Sequence, residues 1–135
     1  MYKLFVGVVF FISASAFALP NKDFGNEAER YISSCYGLEH FKSQYCPKQP
    51  QIKPAMCVSN AVSLVPSEDR NEVSKMLNKS LARLKLIAIS VVDSAFKNAV
   101  ASMGGYNDEL CIHLGSVLNT MSYGHYEKLK VISKQ

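Results

Sequence analysis

The chain has 135 residues, 48% of them hydrophobic and 19% charged, with four Cys, five Pro, seven Gly and no Trp. That length holds one small domain, and the composition is too apolar for a disordered chain and too broken by charge for a multi-span membrane protein. The balance of 15 Lys+Arg against 11 Asp+Glu gives +4, short of a dedicated nucleic-acid binder, so no nucleic-acid partner is expected.

Residues 1–18 have the layout of a secretory signal peptide: Lys3 in a positive n-region, an apolar run over residues 4–12 broken only by Gly7, and Ala16-Phe17-Ala18 as the A-x-A cleavage site. The run is well short of the roughly 20 residues that span a bilayer, so no transmembrane segment is expected. Removal of residues 1–18 leaves residues 19–135 as a single domain of net charge +3 that keeps all four Cys. An even cysteine count in an exported chain implies two disulfides, and the expected location is secreted, extracellular.

The apolar positions of the remaining chain recur at helical spacing. The first helix is expected from Asn26, a good N-cap with Glu27 and Glu29 behind it, to Pro47, with Ala28, Tyr31, Ile32, Cys35 and Tyr45 on its rhythm. Pro47, Pro50 and Pro54 make a stiff loop, and Pro54 opens a second helix to about Val65 with Ala55, Val58, Ala61, Val62 and Val65 on one face. Ser67 caps a third helix of up to 36 residues ending at Gly104-Gly105, with Val73, Leu77, Leu81, Leu84, Ala88, Val91, Ala95 and Ala99 facing inward. Its β-branched residues 86–92 mark a place for a kink or break. Asn107 or Asp108 caps a last helix with Leu110, Leu114, Val117, Leu118 and Met121 inward and Gly124 as its expected end, followed by a basic tail. The expected fold is therefore all-α, an antiparallel bundle of about four helices with two disulfides, its consecutive helices neighbours across short loops.

Cys35, Cys46, Cys57 and Cys111 allow three pairings. Cys35 and Cys46 on one continuous helix lie about 16 Å apart, too far for a bridge. The proline loop favours Cys46–Cys57 with Cys35–Cys111, and Cys35–Cys57 with Cys46–Cys111 stays open. Without a C-x-x-C pair the cysteines read as structural, and no metal or cofactor is expected.

No catalytic constellation stands out. G-x-S-x-G, H-E-x-x-H and S-x-x-K motifs are missing from any convincing context, and Leu110-Cys111-Ile112-His113-Leu114 lacks the second Cys and the Asp of a secreted phospholipase helix. His40 and His125 read as surface residues, and His113 as a partly exposed helix residue. Lys75, Lys79 and Arg83 form a basic stripe on the long helix, readable as a contact for anionic lipid or glycan and more simply as its solvated face. The cluster Phe24, Tyr31, Tyr36, Phe41 and Tyr45 suits core packing or a pocket lining. Asn78-Lys79-Ser80 is an N-glycosylation sequon.

The segments Tyr31-Ile32-Ser33-Ser34-Cys35-Tyr36-Gly37-Leu38, Tyr45-Cys46-Pro47 and Ala55-Met56-Cys57-Val58, with the late Cys111, resemble a group of small four-cysteine secreted nematode proteins associated with reproductive-tract fluid. The resemblance implies secretion and carries over no catalytic residue. The expected function is that of a secreted non-enzymatic fluid protein that binds an extracellular protein or other ligand. The alternatives are a carrier of a small apolar ligand between helices and a membrane-active protein.

Overall fold

A computed structural model describes residues 22–135; the expected signal peptide and its cleavage site lie outside the described residues. The described residues form four α-helices and no strand: α1 (Lys22–Gln44), α2 (Pro54–Val62), α3 (Arg70–Met103) and α4 (Asp108–Ser133), with one 3-10 turn, Ser67–Asp69, before α3. This is the expected all-α architecture with two disulfides.

The first helix is the centre of the molecule. It contacts each of the other three, whereas α3 and α4 make few contacts with each other. Phe24, Ala28, Tyr31, Ile32, Cys35, Leu38 and Phe41 are buried along it at steps of three and four. Asn26, the expected cap, lies inside the helix, because Phe24 ahead of it is fully buried and draws the preceding turn into helical packing. Asp23 in the first turn and Lys42 in the last complement the helix dipole. Lys42 is itself buried, and burial holds its ammonium pKa below the ordinary value.

The loop of residues 45–53 leads to α2, which starts with Pro54 at its first position and ends at Val62. Two further turn bonds, Leu64 N–H to Ala61 O and Val65 N–H to Val62 O, carry the chain on, so Val65 is buried without being helical. Ala55 is exposed, against expectation, because Pro54, Cys57 and Ala61 take the inner face.

The third helix runs unbroken through residues 86–92, where a break was expected, for a length of about 51 Å. It ends at Gly104, whose φ of 76° is the left-handed cap that glycine adopts without strain. Its inner face also differs from expectation. Past Ala88 the buried positions are Val92 and Phe96, whereas Val91 and Ala95 are exposed and Ala99 is half-buried. Phe96 decides this. Its ring stacks on Tyr45 at 4.0 Å between centroids and 9° between planes, and an aromatic ring buries far more area than the alanine beside it. Gly37 accommodates the result, since a Cβ there would stand 3.1 Å from Val92 Cγ2. The helix with its leading 3-10 turn, Ser67–Met103, is long and apolar enough to cross a membrane by length and composition. Here, however, its residues Val73, Leu77 and Leu84 pack in the core against α1.

The fourth helix is capped by Asn107, whose side chain accepts the Leu110 N–H at 2.8 Å. Gly124 does not end it. The turns beyond bury Leu129 completely and set Tyr126 against Tyr31 with centroids 5.2 Å apart, which outweighs the ~1 kcal/mol a helical glycine costs. Gly115 is buried against the Gln49 amide, which donates to Cys111 O at 2.6 Å. Val117 and Met121, expected inside, are exposed.

The disulfides are Cys35–Cys57 and Cys46–Cys111, with Cα atoms 6.5 Å and 5.8 Å apart. The pairing favoured from the sequence, Cys46–Cys57 with Cys35–Cys111, is therefore corrected to its alternative. The proline loop does not double back on itself. It crosses to α4, where Gln49 meets Cys111 and Gly115, while α2 folds back along α1 and brings Cys57 to Cys35.

The bridges close spans of 22 and 65 residues, for which restriction of the unfolded chain gives about 3 and about 4 kcal/mol. Paired replacement of Cys46 and Cys111 by Ser is expected to cost more stability in denaturant unfolding than paired replacement of Cys35 and Cys57. An equal or reversed order would contradict the loop-size argument.

Candidate functional site

Because α3 and α4 both lie on α1 but meet each other little, a groove stays open between them. Its volume is about 410 Å³. The floor is α1, through Asn26, Arg30, Ser33 and Gly37; one wall is Leu84, Ala88, Val91 and Val92 of α3; the other is Leu118, Met121 and His125 of α4. Val91 at 61% and Met121 at 52% exposure are thus rims of this groove.

One end of the groove is charged. Glu27, 2% exposed, lies beneath it with a carboxylate held by Arg30 at 3.1 Å, His125 Nδ1 at 2.5 Å and Lys128 at 4.0 Å. A carboxylate so deeply buried needs such partners to stay folded. Next to it Arg83 of the basic stripe reaches Glu29 at 3.2 Å. The helix pitch puts Glu27 and His125 in reach because α1 and α4 run antiparallel; farther along, Cys35 meets Ser122 at 3.5 Å.

A second polar cluster joins α1 to α3 outside the groove. His40 Nε2 lies 2.7 Å from Asp93 Oδ1, and the Tyr45 hydroxyl donates to the same oxygen at 2.5 Å. The Tyr45 and His40 hydrogen bonds hold the Asp93 carboxyl below the ordinary carboxylate range. The same bond to Asp93 raises the Tyr45 phenol above its ordinary 10.0. A phenol kept protonated on a shared carboxylate oxygen fastens two helices together.

The residues singled out from the sequence fall in different places. Lys75 pairs with Glu72 at 4.0 Å and Arg83 with Glu29, while Lys79 is exposed with no ion pair among the described residues. The stripe is thereby partly neutralised. Asn78 is exposed on α3, its amide near Ser74 Oγ at 3.5 Å. His113 is exposed as expected. His40 and His125 are not the surface residues expected; each is largely enclosed and bound to a carboxylate. Of the early aromatics, Phe24 and Tyr31 belong to the core around Cys35, and Phe41 and Tyr45 to a second core around Cys46 and Phe96. None of them lines the groove. No metal-holding group of three or more His, Cys, Asp or Glu occurs among the described residues. Sequence reasoning missed the groove and both His–carboxylate pairs, since the partners lie 53 and 98 residues apart. No protein-family model, curated protein or solved structure matches the chain.

The Asp93 cluster has a defined pH signature. Its lowered carboxyl stabilises the fold above the unfolded carboxylate pKa, and that contribution disappears as pH falls through the folded value. Asp93→Asn is expected to flatten the acid limb of stability. It should also move the Tyr45 phenolate transition, read by ultraviolet absorbance, down toward 10.0. An unmoved phenolate transition would show that Asp93 does not hold Tyr45.

Proposed function

We propose that this is a secreted, non-enzymatic binding protein of extracellular fluid that carries a small apolar ligand between α3 and α4. The observation that carries the reading is the groove. Sites for small molecules are typically concave, ~300–1,000 Å³ and mostly apolar with a few polar groups, and this groove has that size, with apolar walls and a polar end. Two disulfides and the signal layout of residues 1–18 support export. On export, Asn78 would be presented on an exposed helix face as a glycan acceptor. The resemblance to secreted proteins of reproductive-tract fluid supports a luminal role. Native mass spectrometry of gently extracted protein is expected to show an added mass that organic extraction removes. Repeated recovery of the bare polypeptide mass would overturn the carrier reading.

A second reading has its own observation. The apolar C-terminal half of the long helix is mostly unburied, and Leu86, Ile87 and Val91 are exposed there. With Lys75 and Lys79 on the same helix, this face suits the surface of an anionic bilayer. Leakage of anionic vesicles on adding the protein is the expected outcome of that reading; intact vesicles would remove it.

A further inference from the structure

We infer that the ligand of the groove is a single-chain amphiphile with an anionic head, its head at Arg30 and its tail running toward Gly37. The inference rests on the carrier reading and adds a chemical class and an orientation to it. The groove is polarised along its length. The Glu27–His125 and Glu29–Arg83 pairs place Asn26, Arg30 and His125 at one end. The close approach of Gly37 to Val92 marks the other, where Ala88, Val92 and Leu118 line it. From Asn26 to Gly37 the floor helix rises about 16 Å, a trough for an extended chain. A polar molecule would leave most of these walls unmatched, and a compact apolar one would leave the charged end unused.

The sign of the head follows from the charges. Arg30 and Glu29 are the charged lining residues at this end, and Glu29 is taken by Arg83 from outside the groove; with Lys128 beside Glu27, three cations stand against two carboxylates. Both carboxylates already have cationic partners. Arg30 gives Nη1 to Glu27 and is 59% exposed, and a guanidinium has five N–H donors in a fork that matches carboxylate or phosphate oxygens. The Asn26 amide has no hydrogen-bond partner among the described residues and adds neutral donors at the same end. A cationic head would meet like charge there.

The test uses the folded, disulfide-bonded protein and displacement of the fluorescent probe dansylundecanoic acid. Laurate and lauryl phosphate are expected to displace the probe at about tenfold lower concentration than lauryl alcohol, with dodecyltrimethylammonium weakest. The stronger of the two anions identifies carboxylate or phosphate as the head. Arg30→Gln is expected to erase the tenfold preference, read as the ratio of the anion and alcohol concentrations that displace the probe from that same variant. Lys128→Gln, at a side chain 71% exposed, should reduce it part way in a fold left intact. Equal displacement by alcohol, ammonium and anions would overturn the anionic head and leave the carrier reading standing. Failure of the probe and of every lauryl compound to bind would overturn both.

Discussion

Everything in this structure leans on α1. Of the four described helices it packs most extensively against each of the others, and its buried side chains face three ways. Full burial of a Leu, Ile or Phe side chain contributes roughly 1.5–3 kcal/mol, and α1 supplies Phe24, Ile32, Leu38 and Phe41 at 2% exposure or less. Helices that share a support need not fill the space between themselves. The groove follows from that geometry: α3 and α4 satisfy their inner faces on α1 and leave Val91 and Met121 looking across an opening.

The core divides into two clusters along α1, each with its own disulfide and its own polar fastener. Around Phe24, Ile32 and Leu77 the bridge is Cys35–Cys57, and the polar contact from α1 to α4 is Glu27 with His125. Around Phe41, Phe96 and Leu110 the bridge is Cys46–Cys111, and the polar contact from α1 to α3 is His40 and Tyr45 on Asp93. Apolar packing is indifferent to small slides of one helix along another. A carboxylate with aimed donors is not, so these contacts set the register that packing leaves loose.

Local signals were legible where local chemistry decides. Pro54, Gly104 and the Asn107 cap end or begin helices through their own backbone or side-chain bonds, and each stands where the spacing put it. Inner faces were legible only until two apolar stripes competed. On α3 the choice between Val91 and Val92 belongs to Phe96, Tyr45 and Gly37, which are distant in sequence. The extension of α4 past Gly124 depends likewise on Tyr31 waiting for Tyr126. Disulfide pairing turned on the path of the proline loop, which Gln49 sets by reaching α4. The groove had no local signature, because it consists of what three helices leave unfilled.

The two bridges also have a topological consequence. Of the four described helices α2 carries Cys57, α4 carries Cys111 and α1 carries Cys35, with Cys46 just beyond its end; α3 carries none. Residues 35–46 and 57–111 thus close into one covalent ring, with α3 as its far arc. A protease that cuts the chain once anywhere between Cys35 and Cys111 opens the ring or a bridged loop but releases no piece. The exposed loops at the two ends of α3, where a protease finds extended chain, are in this way places where a single scission leaves the molecule whole until its disulfides are reduced.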